Sequence, residues 1–197
     1  MGMLENWEKT SISEGMGYYT ENESGRFYCD RTGRLTFFES ERENRLKQSP
    51  YGFRRSHEEK AVRSLIIPEG VREIDYHAEK LQDLIIVEKL VLPTTLEKMD
   101  DNVLSGCLIM EMELPASLRE IGPGALMCDY IHVLRIPQGM MHPQYSSGWE
   151  QKKLDGALTI YGRQFKETII NTLIVPKGYP YKELMLGAKI NNIVYSD

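Results

Sequence analysis

Cysteine and histidine are the residues of this sequence that are best suited to act as nucleophiles, bases or metal ligands. The three cysteines, Cys29, Cys107 and Cys128, form no CxxC motif, and an odd number of thiols cannot all pair. A small secreted domain that depends on disulfides has more cysteines, in an even number. The cysteine content therefore predicts a protein that works in a reducing compartment.

Two arrangements could activate a cysteine, which needs a nearby base and a lowered pKa to act as a nucleophile. They are Cys128 with His132, and Cys107 with the acidic pair Asp100 and Asp101. Cys107 and Cys128 are 21 residues apart by subtraction of their numbers, which is close to the repeat period described below. We interpret both as small buried residues. Asp100 and Asp101 are interpreted as solvated turn residues, not as a catalytic dyad.

The histidines do not have the spacing of a metal site on one helical face, such as HxxxH or HExxH. Gly122–Gly124 forms a GxG that continues into neither GxGxxG nor GK[ST], so it predicts a turn and not a phosphate loop. We expect no metal, no cofactor and no catalytic residue. One group of histidine and methionine side chains could form a site for a soft metal ion, although packing explains these residues better. The group consists of His132, Met140, Met141 and His142.

Composition restricts the classes of function. The sequence has 197 residues, of which 41% are hydrophobic and 27% are charged, as expected of a folded globular protein. Its net charge of −5 argues against direct nucleic-acid binding. Its apolar runs, such as Leu84–Val87 and Leu108–Met110, are far shorter than the ~18 residues of a membrane span. Met1–Gly17 lacks the pattern of a secretory signal, so we expect a cytoplasmic protein unless a signal peptide was removed.

An internal repeat is the strongest signal in the sequence. Five tetrapeptides share the pattern apolar-x-apolar-Pro, and their prolines are 25, 22, 22 and 39 residues apart by subtraction. A period of 20 to 50 residues is typical of repeat architectures. The tetrapeptides are Leu65–Pro68, Leu90–Pro93, Met112–Pro115, Leu134–Pro137 and Leu173–Pro176.

Other columns of the repeat agree when the units are aligned on the proline. Six residues before the proline stand Val62, Val87, Ile109, Ile131 and Ile170. Three residues after it stand Val71, Leu96, Leu118 and Met140, and ten after it stand Ala78, Val103 and Ala125. Alternation before each proline predicts a strand with one buried face, which ends where proline cannot donate an N–H. A second short extended segment is expected after each proline, over 71–74, 96–99 and 118–121.

The register of these columns resembles the BspA-type leucine-rich repeats of bacteria, whose pattern is roughly LxxIxLPxxLxxIGxxAFxxC. Leu114-Pro115 followed by Leu118–Leu126 matches it, and Cys107 and Cys128 fall at its cysteine position. The resemblance covers residues 62–141 well and 170–176 weakly. It departs from the pattern at the glycine position, with Asp75 and Asp100, and at the phenylalanine position, with Glu79, Leu104 and Leu126. The resemblance implies a curved right-handed solenoid that binds other proteins and has no catalytic residues.

We therefore predict a mainly β leucine-rich-repeat solenoid with four to five short rungs. Residues 1–60 are expected to form an N-terminal cap, with a β-hairpin over 26–38 and a charged loop at Glu39–Lys60. Residues 61–141 are the regular repeats. Residues 142–197 are expected to hold an irregular insertion at His142–Lys153, a degenerate rung at Leu158–Tyr161 and an irregular closing cap from Tyr179 to Asp197.

The same alternation predicts the binding surface, because residues two and four before each proline should point away from the core. An apolar centre with a charged margin is the usual anatomy of an interface. We expect a protein partner to bind there, and the sequence leaves open the pairing of two copies. The predicted contact residues are Ile66, Lys89, Val91, Glu111, Glu113, Val133, Arg135 and Ile174.

Two other functions are compatible with the sequence. Residues 61–142 carry 7 basic and 13 acidic residues, and this excess could serve an inhibitor, for example one encoded by a phage or mobile element, that occludes a basic macromolecule. The excess could equally serve solubility alone. An enzyme would need a site within 142–165, where polar and aromatic residues cluster. These residues are Tyr145, Trp149, Tyr161, Arg163 and Phe165.

Overall fold

The computed structural model describes residues 8–12, 15–22, 25–30, 32–39, 44–46, 59–76, 78, 81–146, 153–162 and 164–197. In this part of the chain the fold is mainly β and consists of two sheets with extensive parallel pairing. The one α-helix among these residues, α1 (Tyr181–Leu184), has four residues. No helix in the described ranges combines the length and apolar character needed to cross a bilayer.

Sixteen strands are described, in chain order. They are β1 (Glu8–Ile12), β2 (Gly15–Asn22), β3 (Gly25–Cys29), β4 (Arg34–Glu39), β5 (Asn44–Leu46), β6 (Glu59–Ile66), β7 (Glu73–Ile74), β8 (Leu84–Val91), β9 (Lys98–Met99), β10 (Leu108–Glu113), β11 (Glu120–Ile121), β12 (Tyr130–Arg135), β13 (Pro143–Tyr145), β14 (Leu158–Ile160), β15 (Ile169–Pro176) and β16 (Lys189–Ser196).

The proline-terminated tetrapeptides lie side by side in a seven-stranded sheet of order β16-β15-β12-β10-β8-β6-β5. All of its strand pairs are parallel except β5 with β6. The first apolar residue of each tetrapeptide is aligned with that of the next, in the series Leu65, Leu90, Met112, Leu134 and Leu173. The prediction of adjacent parallel strands is confirmed for all five tetrapeptides.

The second sheet has nine strands in the order β1-β2-β3-β4-β7-β9-β11-β14-β13. Its strands β7, β9 and β11 are two residues long and fall inside the predicted second extended segments. The strands β1 to β4 pair antiparallel, and β4 then pairs parallel with β7. The hairpin of β3 and β4 thus extends this sheet beyond the first repeat, and Phe27, Cys29 and Leu35 join its core.

One cluster of buried side chains joins the two sheets. It includes Leu65 of β6 and Ile74 of β7, both fully buried, and the equivalent residues of the following units. The parallel ladder continues one residue beyond β6, since the Ile67 N–H donates to the Val91 carbonyl at 3.0 Å. Pro68 follows and has no N–H to continue the ladder. The chain can then turn toward the second sheet.

At Val87 the alignment on the proline does not match the structural register. Val87 is 37% exposed, and the fully buried Ile86 takes its place opposite Val62 and Ile109. The physical reason is one additional residue in β8, where the register shifts relative to both neighbouring strands. A bulge of this kind turns the following side chains toward solvent.

The C-terminal part of the chain is more regular than predicted. Within the predicted insertion, β13 pairs parallel with β14, and β14 extends the second sheet beside β11. Instead of an irregular closing segment, residues 179–197 contain α1 and β16, and β16 pairs parallel with β15 along its full length. This strand lacks the terminal proline that identifies the other five, so the repeat pattern missed it.

Some predictions fall on residues outside the described part of the chain. Most of the charged loop at Glu39–Lys60 is among them, including Pro50-Tyr51-Gly52 and His57. The same holds for His77 and Glu79. Of that loop, only Glu39, β5 and the first residues of β6 are described.

Candidate binding surface

The eight predicted contact residues lie on one face of the seven-stranded sheet, which we call the outward face. None of them is buried, whereas the residues between them are core residues. The parallel registers bring them into rows, such as Ile66 beside Val91 and Val133 beside Glu111. Arg135 likewise lies between Glu113 and Ile174. The outward face therefore presents these side chains together.

Two predicted apolar contact residues are less exposed than expected. Ile66 and Val91 are both half-buried, and neither stands free as a large exposed side chain. The Asn22 side chain donates to the Ile66 carbonyl at 2.8 Å, so β2 approaches the end of β6. Sequence alternation did not indicate this contact between an N-terminal strand and the end of β6.

A groove of about 500 Å³ lies at the carboxyl ends of β8 and β10. Lys89 and Val91 of β8 line it together with Glu111 and Glu113 of β10. The turns that follow the two prolines form its remaining wall, from Thr94 and from Pro115 to Ser117, with Pro137 at the next unit. Half of the eight predicted contact residues therefore border one concavity.

The two groove carboxylates differ in their partners. Glu111 Oε1 lies 3.2 Å from Arg135 Nε, in an ion pair between side chains that are 49% and 41% exposed. Glu113 is exposed, and among the described residues it has no ionic or hydrogen-bonding partner. An exposed ion pair contributes little to stability. Glu113 is therefore available to a cationic group of a ligand.

A second group of side chains on this side of the sheet was not predicted. Ala61, Ile85 and Leu108 are buried in a cluster separate from the main core, with Tyr130 packed against them. Ile85 lies between the core residues Leu84 and Ile86, so its side chain points to the opposite face. The apolar runs Leu84–Val87 and Leu108–Met110 were the available signal, since a strand buried on both faces is continuously apolar.

Cys107 and Cys128 are buried, as predicted, and Cys29 is buried as well. The Cys107 thiol donates to the Leu81 carbonyl at 3.1 Å, and the Cys128 thiol donates to the Leu104 carbonyl at 3.3 Å. Leu104 stands at the phenylalanine position of the repeat pattern, so Leu81, which makes the equivalent contact, occupies that position in the first unit. The alignment had assigned it to Glu79. Burial raises the pKa of the Cys29 thiol, and the charge of Asp30 adds to this effect. Thiols in such surroundings are poor nucleophiles.

Of the acidic pair, Asp101 is an exposed turn residue as predicted, whereas Asp100 has a different environment. Asp100 is half-buried and lies within 2.9 Å of Arg34 and 2.8 Å of Lys98, so it is an ion-paired residue and not a solvated one. Although Asp101 is exposed, partial desolvation of its carboxyl group, followed by the charge of Asp100, raises the pKa of Asp101. Burial disfavours the charged form of Lys98, but hydrogen bonds to Asp100 and Glu73 outweigh it and raise the pKa of the ammonium.

The structure does not favour the soft-metal site that the sequence analysis considered, because members of that group have other contacts. The His132 Nδ1 shares a hydrogen bond of 3.0 Å with the Tyr130 hydroxyl. Met140 is buried in the core, and the ring of His142 packs edge-on against Tyr179. Within the ranges that the structure describes, no three histidine, cysteine or acidic side chains are grouped to hold a metal ion.

The residues proposed for an enzyme site within 142–165 lie in different environments. Phe165 is fully buried in the core, whereas Tyr145 is 50% exposed on β13. The Tyr161 hydroxyl donates to Glu120 at 3.0 Å, and Trp149 and Arg163 lie outside the described residues. The described groove is lined by residues 89–92, 94, 111–117 and 137, none of which belongs to this segment.

Comparisons with protein-family models, with curated proteins and with solved structures gave no match.

Proposed function

We propose that the protein is a leucine-rich-repeat solenoid of the BspA type that binds another protein through its outward face. The proposal of a solenoid rests on the agreement between the sequence repeat and the order of the strands in the two sheets. Each of the five proline-terminated units contributes one strand to the seven-stranded sheet, and in the first four units the next strand along the chain lies in the second sheet. Units that cannot bury their apolar face alone gain a continuous core by stacking in this way.

The groove between β8 and β10 is the single observation that carries the proposed binding function. It combines half-buried apolar surface at Val91 with charged side chains at Lys89, Glu111 and Glu113. Protein interfaces have this arrangement of an apolar centre and a charged margin. Since Glu113 has no partner among the described residues, we expect a lysine or arginine of the bound protein to lie opposite it.

Site-specific photo-crosslinking tests this proposal. A photoreactive amino acid at Glu113 is expected to capture a specific protein, whereas the same group at the exposed residue Lys166, in a turn outside both sheets, is not. The captured protein is then identified and purified. Glu113→Lys is expected to weaken its binding by about tenfold, equivalent to ~1.4 kcal/mol, while Lys166→Glu leaves the affinity unchanged.

Two outcomes would contradict the proposal. One is equal capture from both positions. The other is an affinity for the purified partner that Glu113→Lys does not alter.

An inhibitor of a basic macromolecule is the second candidate function. It is favoured by the excess of 13 acidic over 7 basic residues within 61–142. This candidate requires that the purified protein block the activity of its captured partner at a stoichiometric ratio. A partner that keeps full activity when saturated with the protein would exclude it.

A further inference from the structure

The seven-stranded sheet ends at β16, a long strand with an open edge. Among the described residues β16 pairs with β15 alone, over eight residues that include no proline and no register shift. The other edge strands are shorter, with five residues in β1 and three each in β5 and β13. Proteins usually protect an edge strand by short length, proline, a bulge or central charges, and β16 has none of these devices.

The core columns of the repeat continue into β16 and become exposed there. Ile193 is aligned with Leu173, and through it with the series that runs back to Leu65. Leu173 and Leu65 are fully buried, whereas Ile193 is 39% exposed. A core-type side chain is therefore left without the next layer that covers its equivalents.

Other apolar side chains around this edge are also open to solvent. Val194 and Tyr195 of β16 are 48% and 55% exposed, and Leu186, in the turn before the strand, is 48% exposed. These four residues account for more than half of the large apolar side chains that are exposed in the described part of the chain. A concentration of exposed apolar side chains beside the free edge of a strand indicates an interaction surface.

The charges of β16 favour a second copy of the same chain as the occupant. From 189 to 197 the sequence is KINNIVYSD, so the only charges are Lys189 at one end and Asp197 at the other. When two such strands pair antiparallel with Ile193 opposite Ile193, Lys189 of each copy faces Asp197 of the other. Lys177 contacts Asp197 within the chain, but with side chains 67% and 96% exposed this pair leaves the carboxylate open to a second cation.

We propose that two copies of the protein associate through β16, which pairs antiparallel with the same strand of the second copy about a two-fold axis at Ile193. The arrangement is isologous and closes after two copies, as most stable homodimers do. It supplies hydrogen bonds to the free edge and covers Ile193 with its symmetry mate. The sheet then continues across both copies, and the outward face is doubled. This inference does not depend on the proposed partner binding.

Cross-linking at the axis tests the geometry directly. The native cysteines are all buried, so an introduced thiol can be examined without removing them. The thiol of Ile193→Cys should lie opposite its symmetry mate and form a disulfide-linked dimer on mild oxidation. Lys189→Cys is the matched control. Its two thiols would be about 26 Å apart, eight residues along a strand, so it should not cross-link.

Sedimentation equilibrium supplies the measurement of association. The wild-type protein is expected at twice its monomer mass of 22.7 kDa. Lys189→Glu should shift it toward the monomer by placing like charges opposite each other, and Lys189→Glu combined with Asp197→Lys should restore the dimer.

Three outcomes would overturn the proposal. The first is a wild-type protein that stays monomeric at every soluble concentration, in which case something other than a second copy covers the edge. The second is a dimer that does not cross-link through position 193. The third is a charge swap that fails to restore association, which would indicate a different interface.

Discussion

Arg34 Nη2 lies 2.9 Å from Asp100 Oδ2, joining a strand of the N-terminal hairpin to the second repeat across 66 residues of sequence. The same guanidinium contacts Asp75, and its Nε lies 3.3 Å from Glu73 Oε1. Lys98 lies 2.8 Å from both Glu73 and Asp100. Asp75 and Asp100 are the residues that replace the glycine of the repeat pattern, so both departures from the pattern serve one ion-pair network.

Removing the guanidinium should destabilise the attachment of the hairpin. Arg34→Met leaves three carboxylates near one another, with the Asp75 side chain only 5% exposed. Breaking a buried pair costs about 3–5 kcal/mol, and partial exposure of Arg34 should reduce the loss to about 2 kcal/mol. Urea denaturation measures this change. Arg63→Met is the control, because its pair with Glu88 is exposed and should contribute little to stability. Equal losses in the two variants would contradict the structural role of the network.

Cys107 and Cys128 should be unreactive in the folded protein. Both are buried, and each thiol donates to a backbone carbonyl of the preceding unit. A thiol reagent added to native protein should label them only as fast as the protein unfolds, and immediately in denaturant. The measurement is the labelling rate by mass spectrometry. Rapid labelling of either residue under native conditions would show that the thiol is accessible.

Thr168 continues the series of the two cysteines, and its hydroxyl should stabilise the divergent unit. It is fully buried, and its Oγ1 donates to the Leu126 carbonyl at 3.0 Å. Thr168→Val keeps the shape but removes this hydrogen bond, so we expect a loss of about 1–3 kcal/mol in unfolding free energy. Thr168→Ser retains the hydroxyl and serves as the control. A valine variant as stable as the wild type would mean that this hydrogen bond contributes nothing.

Gln164 is a buried polar residue whose replacement should stabilise the protein. It is fully buried, and among the described residues its Oε1 has no hydrogen-bond partner. Its Nε2 donates to the Ile121 carbonyl at 3.4 Å, but that carbonyl also accepts from the Tyr161 N–H at 3.3 Å. Gln164→Leu should therefore raise the unfolding free energy by about 1 kcal/mol, measured by thermal or urea denaturation. Gln164→Glu should do the opposite, because it buries a charge. A destabilised leucine variant would contradict this account.

Tyr161 should link stability to alkaline pH. Burial, followed by its hydrogen bond to Glu120 and the charge of that residue, raises the pKa of Tyr161 to about 12. The folded state then holds this proton more tightly than the unfolded chain, whose tyrosine pKa is about 10. The stabilising contribution is complete below pH ~10 and is lost as pH rises toward 12. Urea denaturation across this range should show a smaller loss of stability in Tyr161→Phe than in the wild type.

Glu120→Gln provides the matched control for this pH effect. It should move the Tyr161 pKa back toward 10, as followed by the tyrosinate absorbance relative to Tyr161→Phe. An unchanged titration in Glu120→Gln would rule out Glu120 as a cause of the shift.

The sequence alone was sufficient to predict the parallel strands and most of the core. The reason is local: each strand is defined by alternating apolar residues and by a proline that cannot donate to the ladder. The same alternation correctly predicted which side chains face outward, since side-chain direction in a strand has a period of two. The buried positions of Cys107 and Cys128 followed from their spacing together with the cysteine position of the repeat pattern that the sequence resembles.

Only the tertiary structure decided how the units adjust to one another. The additional residue in β8 exposes Val87, because register depends on the neighbouring strands and not on distance from the proline. Gly122 has no room for a side chain, since a Cβ there would lie 2.8 Å from the backbone of Asp100 and Asp101. The residue that fits at the glycine position of the repeat pattern therefore depends on the backbone of the preceding unit.

The two ends of the repeat were the least predictable from sequence. Arg34 contacts Asp75 and Asp100 across a large sequence separation, and no periodic pattern encodes a contact between a hairpin and a repeat. The strand β16 has no terminal proline, and what identifies it is its pairing with β15. A repeat predicts what its own period contains, whereas the contacts of Arg34 and the pairing of β16 depend on long-range charge pairing and strand pairing.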